Sequence, residues 1–489
     1  MKTLIKNHRT GLRRLLFGIT LSISAVLTIS SIRHPSPEMG AAEKPNIIFI
    51  YTDDQRYNTI HALGNGQIIT PNLDSLAAAG TTFTHAYNMG AWHGAVCVAS
   101  RTMLVTGFPV WKAQQQEKKL GTLMEKGGFW SQQLKKAGYE TYMTGKWHVR
   151  ADVNKLFDHV IHERPGMPNQ TPKGYNRPLA VNDTAWQPWD EENGGFWKGG
   201  KHWSEVLADD AVGYIQEASR RESPFFMYLA FNAPHDPRQA PKKFVDMYPV
   251  EKIVLPDSYL DEYPFKDAMG CGADLRDEQL APFPRTPYAV KKHIQEYYAS
   301  ITHLDEQIGR ILQALRKSGK MENTYLFFTS DHGLSVGHHG LLGKQSMFDH
   351  SVRTPLIVAG PGIPKHEKRD QQVYLQDIMA TTYELAAVPK PQHVFFNSLL
   401  PLIKNKNKTS QYTGIYGCYM DTQRMVRTDR YKLIYYPKIN KTLLFDLRND
   451  PGEKKDIAGS QQNKGLIRDL KNRLLAEQKM MGDTLLLKW

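Results

Sequence analysis

The stretch NIIFIYTDD, residues 46–54, is a nearly continuous apolar run that ends in two adjacent carboxylates. Three more runs have this form, and each leads into polar residues: 141–144 before Gly145-Lys146-Trp147-His148, 225–231 before Pro234-His235-Asp236, and 324–329 before Asp331-His332-Gly333. Unbroken apolar runs are typical of parallel strands covered on both faces. Because open α/β sheets bind ligands at the carboxyl ends of their strands, we expect these polar residues at one sheet edge.

Helical patterns separate the runs. The longest is predicted over His293–Lys317, where apolar residues recur every three or four positions and Ser318-Gly319 ends the pattern. Strands that alternate with helices predict an α/β fold with a large, mainly parallel or mixed sheet between helices. Near the C-terminus, strands over 425–436 and 441–446 and a terminal helix predict a smaller α+β subdomain with an antiparallel sheet. We therefore divide the chain into 1–42, a large domain 43–405 and a subdomain 406–489.

Residues 1–42 differ in composition from the rest. Five Lys/Arg residues precede the apolar run 15–29, and small residues follow it as far as Ala41-Ala42. This order predicts a secretory signal peptide, with a retained signal anchor as the alternative. No other segment is long and apolar enough to span a membrane. We expect an exported protein, periplasmic or secreted, with no stable membrane insertion after cleavage.

The chain is basic. Its net charge is +13 over 489 residues, and loss of 1–42, with six Lys/Arg and one Glu, would leave +8. Such a surface attracts anionic partners, although it also simply favours solubility. No aromatic-basic motif indicates nucleic acid, so we expect none as a partner and favour an extracellular anionic polymer.

Three cysteines are too few for a disulfide framework, although a Cys271–Cys418 bridge stays open. Cys97 would then be an unpaired thiol, and an unpaired thiol in an oxidising compartment suggests a specific role. A helix is predicted to begin just after it, which would stabilise negative charge there and place Arg101 one turn on. The alternative is a small buried core cysteine, but the neighbouring Gly, Ala and Ser favour a tight, accessible turn.

Asp53 and Asp54 are adjacent carboxylates that repel each other without a cation. Oxygen-rich sites of this kind suit Ca²⁺ or Mg²⁺. Taken alone, the pair is better explained as a cap of the next helix. With Asp331 expected at the neighbouring strand end, a metal site is the better interpretation.

Cys97-Val98-Ala99-Ser100-Arg101 resembles the sulfatase signature Cys-x-Pro/Ala-x-Arg, with Ala99 where proline is more frequent. The resemblance runs from Lys44 to beyond Asp450 and includes 70–74, 106–107, 444–447 and 450–451. It implies an alkaline phosphatase-like fold and a type I sulfatase, in which a maturation enzyme oxidises the cysteine to formylglycine. In the reaction so implied, a hydroxyl of the formylglycine hydrate attacks sulfur, and the second hydroxyl later expels sulfate.

The resemblance also implies roles for individual residues. One Ca²⁺ would be held by Asp53, Asp54, oxidised Cys97, Asp331 and His332, the last at a position where Asn is frequent in the family. Arg101, Lys146 and His148 resemble residues that hold the hydrate and a sulfate oxygen. Lys344 resembles a second sulfate-binding lysine, and His235 the histidine that protonates the leaving oxygen, while Asp54 is a candidate to assist attack. Taken singly, the histidines could be structural and Lys344 a solvated loop lysine.

Export and the basic surface favour a sulfated polysaccharide or oligosaccharide as substrate. Residues 151–200, rich in Pro, Gly, Asn and Trp, are predicted to be a long surface insertion, either part of a substrate cleft or a passive excursion. Candidate recognition residues are Trp92, His93, His202, Trp203, Arg238 and Arg285, of which Trp203 is equally expected in the core. The rivals are a phosphomonoester, phosphodiester or phosphonate monoester hydrolase of the same superfamily, and a sulfated-glycan-binding protein without turnover.

Overall fold

The computed structural model describes residues 44–169 and 171–489, and residues 44–489 form one compact unit. The predicted signal peptide, 1–42, lies outside the described residues. The strands are β1 Asn46–Thr52, β2 Gly80–Phe83, β3 Ala86–Tyr87, β4 Gly90–Ala91, β5 Glu140–Lys146, β6 His159–Arg164, β7 Trp197–Lys198, β8 Lys201–His202, β9 Phe225–Ala230, β10 Thr324–Ser330, β11 Arg353–Thr354, β12 Leu356–Ala359, β13 Glu367–Arg369, β14 Val373–Tyr374, β15 Ile415–Tyr419, β16 Gln423–Arg427, β17 Tyr431–Tyr436 and β18 Lys441–Asp446.

The α-helices are α1 Pro71–Ala78, α2 Val96–Thr106, α3 Val110–Gln116, α4 Leu120–Glu125, α5 Trp130–Lys136, α6 Trp203–Ala218, α7 Lys242–Val245, α8 Pro287–Lys317, α9 Asp349–Val352, α10 Asp377–Leu385, α11 Leu400–Lys404 and α12 Lys464–Met481. Helix α8 begins six residues before the predicted start. Thr286 caps it by accepting from the N–H of Ala289, and Pro287 occupies the first turn. Proline suits that position because its missing N–H would be unpaired there anyway.

An eight-stranded mixed sheet has the order β13-β2-β12-β10-β1-β9-β5-β6. Strands β10, β1, β9 and β5 are neighbours and run parallel, while β12 is antiparallel to both β10 and β2. Tyr51 pairs with Thr329 on one side and with Ala230 on the other, so the three strands end level. The predicted α/β class and the shared sheet edge are therefore confirmed.

Alternate residues of β1 point to opposite faces, and both faces are covered. Ile48 and Ile50 pack with helices α6 and α8, while Phe49 packs with Trp130 of α5 and with core residues of α2 and α10. All seven residues of β1 are buried. This burial explains why the strand reads as a nearly continuous apolar run.

The smaller sheet has the order β18-β17-β16-β15-β4, antiparallel except for the β15–β4 pair. The antiparallel sheet and the amphipathic terminal helix are as expected, and the predicted strand over 425–436 divides into β16 and β17 at a turn. Because β4 comes from residues 90–91, this sheet also incorporates chain from the first part of the sequence. The boundary between 405 and 406 stays a prediction.

The segment 151–200 is only partly a surface excursion. Strand β6 extends the main sheet by pairing in parallel with β5, which corrects the expectation of an insertion without a place in the core fold. The strand lies at the sheet edge and is largely exposed, so its sequence lacks the apolar signal of the inner strands. Beyond it, Gly166 lies against the ring of His148, where a Cβ atom would fall 2.1 Å from Nε2.

All three cysteines are free, so the Cys271–Cys418 bridge that the sequence left open does not form. The Cys271 thiol donates to the carbonyl of Gln345 at 3.1 Å, while Cys418 lies within β15 with its thiol facing the carbonyl of Met89 at 3.6 Å. Within the described ranges, no helix combines the length and apolar character required to cross a bilayer.

Candidate active site

The polar residues at the carboxyl ends of the parallel strands lie close together. Asp53 and Asp54 follow β1, Lys146 ends β5, His235 follows β9, and Asp331 follows β10. Potential ligand atoms of Asp53, Asp54, Cys97 and Asp331 all lie within 4.8 Å of one another, and all four residues are buried. We call the following group the Cys97 cluster: Asp53, Asp54, Cys97, Arg101, Lys146, Asp331 and Lys344.

Cys97 is the second residue of α2, which begins at Val96 rather than after the cysteine. The expected accessible turn is wrong, because the side chain turns inward and is 3% exposed. Its thiol donates to Asp53 Oδ1 at 3.4 Å and to Asp54 Oδ1 at 3.9 Å. Burial and the nearby Asp331 raise the pKa of Cys97 well above its ordinary value, so the group is a thiol. The favourable helix terminus does not outweigh these effects.

Asp54 adopts a left-handed backbone, with φ 68°, that is costly for a residue other than glycine. Two contacts hold it. The Asp54 N–H donates to Asp331 Oδ1 at 3.0 Å, and the hydroxyl of Tyr297 donates to the Asp54 carbonyl at 2.7 Å. Tyr297 belongs to the apolar stripe of α8, so its sequence context indicated only a core residue.

Three cations neutralise the three carboxylates of the cluster. Arg101 Nε donates to Asp331 Oδ2 at 3.1 Å, and Nη1 donates to the carbonyl of Lys146 at 2.7 Å. Lys146 Nζ pairs with Asp53. Lys344 Nζ lies 2.7 and 2.6 Å from the oxygens of Asp54 and 3.1 Å from the Cys97 sulfur. Lys344 is 4% exposed, so it is not the solvated loop lysine of the alternative interpretation.

The carboxylates differ in their ease of ionisation. Burial and Asp331 raise the pKa of Asp53 to about 6. Burial also raises the pKa of Asp54 well above its ordinary value, against the opposing effect of Lys344. Burial acts in the same direction on Asp331, but Arg101 and Lys146 hold its pKa well below the usual range. Three buried carboxylates, two of them difficult to ionise, would be stabilised by a divalent cation.

The histidines differ in their surroundings. His235 Nδ1 donates to the carbonyl of Asp236 at 2.7 Å, which directs Nε2 toward Asp54 Oδ2 at 3.7 Å. Burial, reinforced by Lys344, lowers its pKa well below the ordinary value. Burial and Lys146 lower the pKa of His148 to about 2, and its Nδ1 has no partner among the described residues.

His332 is buried next to Asp331 but lies outside the group of close ligand atoms. The backbones of Val96 and Ser351 lie near its ring, yet neither ring nitrogen makes a hydrogen bond within the described residues. Its role as a metal ligand stays a prediction.

A cavity of about 240 Å³ opens above Cys97, with His148, His235 and Lys344 in its wall. Arg276, Asp277 and Gln345 also line it, and no motif in the sequence singles out the first two. A second cavity, of about 650 Å³, is lined by His93, Arg150, Glu163 and Arg164 among others. Gly94, Ala95 and His148 line both cavities, which therefore adjoin.

Arg276 is held by two carboxylates, of which Asp277 lines the cavity. Its guanidinium pairs with Asp236 and Asp277 and donates to the hydroxyl of Tyr175 at 3.0 Å. Its side chain is 35% exposed, so it also faces solvent. Since these groups come from loops without a periodic pattern, only the folded chain brings them together.

Most of the suggested recognition residues are buried elsewhere. His202 caps α6 by accepting from the N–H of Ser204, Arg285 pairs with Glu278, and Arg238 donates to His293. Trp203 is 6% exposed and lies under the guanidinium of Arg164. Of the six candidates, His93 is the one that lines the second cavity. Nearness in sequence to the motifs was therefore a poor guide to position in the site.

The sulfatase family model matches residues 45–388, well over half of the chain. This protein belongs to the sulfatase family. A model described as N-sulphoglucosamine sulphohydrolase, C-terminal, matches residues 337–480. An arylsulfatase of Clostridium perfringens is 29% identical over 89% of this chain and 94% of its own. An N-acetylglucosamine-6-O-sulfatase of Bacteroides thetaiotaomicron is 24% identical over 94% and 90%, respectively. The sulfatase is thus a hydrolase of sulfuric esters.

The fold agrees with this assignment. A solved structure of a protein in complex with its substrate D-glucosamine-2-N,6-O-disulfate superposes with a TM-score of 0.70 at 22% identity. The match covers 90% of this chain and 99% of that one. The mixed sheet between helices, with the smaller antiparallel sheet, is therefore the alkaline phosphatase-like fold expected from the sequence.

Proposed function

We propose that this sulfatase releases inorganic sulfate from a sulfated carbohydrate, with a nucleophile derived from Cys97 by oxidation to formylglycine and with one bound Ca²⁺. The arrangement of Cys97 carries the proposal. The thiol lies between Asp53 and Asp54 and contacts Lys344, directly beneath a cavity that opens toward a second one. An oxidised side chain at this position would face both a metal and an incoming anion.

The cluster fits a calcium ion. Asp53, Asp54 and Asp331 offer hard oxygen ligands within one small volume, and burial opposes their ionisation unless positive charge is near. Three cations already balance three carboxylates, so a divalent ion would give the site an excess of positive charge suited to an anionic ester. When bound, the ion would supply charge stabilisation to the sulfate oxygens.

The protonation state and the burial of Cys97 support the proposal that it is oxidised. A neutral, buried thiol is a poor nucleophile, since the thiolate is the reactive form. Formylglycine would supply a hydrate oxygen in its place. Because Cys97 is 3% exposed, a maturation enzyme could not reach it in the folded protein. Oxidation would therefore have to precede folding of α2.

The remaining residues would bind and orient the ester. Lys146 and Lys344 would transfer their contacts from carboxylates to sulfate oxygens once a metal holds the carboxylates. Arg101 has an Nη2 group without a hydrogen-bond partner in the described residues, which leaves a donor for the nucleophilic group. Fixed positive charges in a site closed to water are commonly the largest catalytic contribution.

His235 would hold the proton for the departing oxygen. Its hydrogen bond to the carbonyl of Asp236 fixes the ring, with Nε2 facing the cavity. Without substrate the imidazole is neutral, because its pKa lies well below the ordinary value. The negative charge of a bound sulfate ester is what would raise that pKa and allow His235 to act as general acid.

The two adjoining cavities favour a carbohydrate larger than one small ester. The outer cavity presents the cationic side chains of Arg150 and Arg164 beyond His148. The names of the Bacteroides relative and of the disulfate complex concern sulfated glucosamines. For this chain we propose only the class of substrate, a sulfated glycan. Export as a periplasmic or secreted protein is part of the proposal, and N-terminal sequencing of the mature protein tests it.

Steady-state rates on an aryl sulfate, an aryl phosphate diester and an aryl phosphonate test the proposed reaction in protein made with a maturation enzyme. We expect the sulfate ester to be preferred by at least about 10-fold in kcat/KM. A preference for the diester or phosphonate would replace sulfatase chemistry with the related hydrolase activity. Binding of sulfated oligosaccharides without sulfate release would identify a non-catalytic binding protein.

Removal of metal tests the calcium assignment separately. We expect chelation to abolish sulfate release and added Ca²⁺ to restore it. We also expect Ca²⁺ to raise the unfolding temperature of the native protein but not that of a D53N/D331N variant. Equal stabilisation of the two proteins would place the ion elsewhere.

A further inference from the structure

A cavity of about 850 Å³ lies in the C-terminal part of the chain and shares no lining residue with the cavity above Cys97. We call it the basic cleft. Its cations outnumber its carboxylates by five to two. The cations are Lys408, Arg427, Arg430, Arg448 and Arg473, and the carboxylates are Asp370 and Asp429. The Lys/Asn-rich run at 404–408, which the sulfatase motifs do not explain, reaches one wall.

Specific hydrogen bonds fix the walls. The side-chain amide of Gln371 donates to the carbonyls of Lys406 at 2.8 Å and Lys408 at 3.0 Å. Ser410 donates to the carbonyl of Gln372 at 2.5 Å, and Arg473 donates to the carbonyl of Thr413. The segment 406–413 is thereby held against the turn that precedes β14, so the cleft is a formed part of the fold.

Several cations of the cleft are without anionic partners. Among the described residues, Lys408, Arg448 and Arg473 form no ion pair, whereas Arg430 pairs with Asp446. Arg427 is 2% exposed, and its Nε has no hydrogen-bond partner and lies 3.6 Å from Asp349 Oδ1. Arg427 thus already has an anionic partner in Asp349, so the three unpaired surface cations are the groups that favour a bound anion.

The cleft also offers unused acceptors. The side-chain oxygens of Gln371 and Gln372 are buried without a hydrogen-bond partner among the described residues. Sulfates and phosphates have no proton to give them, but sugar hydroxyls do. The unpaired cations suit the sulfates of a sulfated sugar, whose hydroxyls would also satisfy these two oxygens if binding exposed them. Nucleic acid fits less well, since the ring of Tyr412 is already packed against Tyr374 and Phe395 rather than free for stacking.

We propose that the basic cleft is a second, non-catalytic binding site for sulfated carbohydrate, which holds part of a polymeric substrate outside the Cys97 cavity. This inference rests on the proposed function for the identity of the polymer. Binding at the cleft is nevertheless independent of turnover, so the two can fail separately. Retention of the polymer at the cleft would raise the local concentration of sulfate esters near the catalytic cavity.

Binding of dextran sulfate, measured by calorimetry on the full-length mature protein, tests the site. Unsulfated dextran serves as the neutral probe. The variant K408A/R448A/R473A removes the three unpaired cations. We expect its affinity for dextran sulfate to fall by at least about 10-fold at moderate ionic strength. Its kcat/KM for a small aryl sulfate should stay within about 2-fold of the native value, because that ester needs no polymer contact.

The matched control is R220A/R316A/K317A, which removes the same number and types of charge from exposed positions outside the cleft. We expect it to lower the affinity for dextran sulfate by less than about 2-fold. Equal effects of the two triple variants would overturn the proposal, since net charge alone would then explain binding. Tighter binding of duplex DNA than of dextran sulfate, with the same dependence on the cleft cations, would assign the cleft to nucleic acid instead. Weakened polymer binding in a protein without sulfatase activity would support the cleft and reject the proposed function.

Discussion

Among the buried charged clusters of residues 44–169 and 171–489, two differ clearly in their surroundings. In the Cys97 cluster, three carboxylates and three cations meet a thiol below an open cavity, on a backbone that is left-handed at Asp54. In the second, which we call the Lys432 cluster, Lys432 is fully buried between Asp349 at 2.5 Å and Glu453 at 2.6 Å. Its members come from β17, α9 and the loop after β18.

The comparison shows that burial of charge does not by itself indicate a catalytic site. Both clusters shift pKa values strongly. Burial raises the pKa of Asp53 and of Glu453, whereas Lys432 and Arg427 outweigh burial and hold the pKa of Asp349 well below its usual range. The Cys97 cluster differs in its buried thiol and in the cavity that opens above it. Those features point to function, whereas the Lys432 cluster joins the C-terminal sheet to the loop that carries Lys344.

Replacement of Cys97 should separate activity from stability most strongly. We expect Cys97→Ala to lower sulfate release at least about 10⁴-fold, because the nucleophile is lost. The free energy of unfolding should change by only about 1 kcal/mol, since the side chain is small. Aryl sulfate turnover and chemical denaturation measure the two effects. Residual activity above one-hundredth of the native rate would argue against Cys97 as the source of the nucleophile.

Replacement of Lys432 should lower stability strongly and leave activity nearly unchanged. Lys432→Met leaves Asp349 and Glu453 without their shared cation, so we expect a loss of about 3–5 kcal/mol in the free energy of unfolding. The kcat of the folded fraction should stay within about 2-fold of native, because Lys432 touches no catalytic group.

The control is Lys242→Met, which removes an exposed lysine paired with Asp246 at 2.6 Å. This substitution should lower the free energy of unfolding by no more than about 1 kcal/mol. A comparable loss in both variants would mean that the Lys432 cluster contributes little beyond a surface ion pair.

The contrast between the clusters also explains what the sequence could predict. Asp53, Lys146, His235 and Asp331 were predictable because each lies at or shortly after the end of a parallel strand, and strand order places those ends together. The Lys432 cluster was not, because Asp349 and Glu453 lie in segments without a periodic pattern and meet only through the paired strands β17 and β18. Cys97 was recognised from its motif, but its burial depends on an inward side-chain direction that sequence does not reveal.

Replacement of Lys344 tests whether Lys344 and Lys432 have different roles. We expect Lys344→Gln to lower kcat by about 10²–10³-fold, the usual effect of losing one group that stabilises transition-state charge. Stability should fall less than in Lys432→Met, since a bound Ca²⁺ would still balance the charge of Asp54. Steady-state kinetics with saturating Ca²⁺ and thermal unfolding provide the two measurements. Unchanged kcat with lower stability would place Lys344 with Lys432 as a structural residue.

The Lys432 cluster should have its own pH dependence. Burial, against the opposing effect of Lys432, raises the pKa of Glu453 to about 7. The folded protein then binds a proton that the unfolded chain has released above its ordinary Glu pKa, so this contribution to stability is present at low pH and is lost as pH rises toward 7. We expect Glu453→Gln to reduce that decline by roughly 1–3 kcal/mol between pH 5 and 8. Parallel stability curves for the two proteins would contradict this ionisation.

Mass spectrometry of the peptide that contains Cys97 tests the central claim most directly. The protein should be produced with and without a formylglycine-generating enzyme, and sulfate release measured on the same samples. We predict an aldehyde in place of the thiol in the first preparation, with activity in proportion to the oxidised fraction, and an intact thiol with no activity in the second. Full activity in protein whose Cys97 is entirely unmodified would contradict the account.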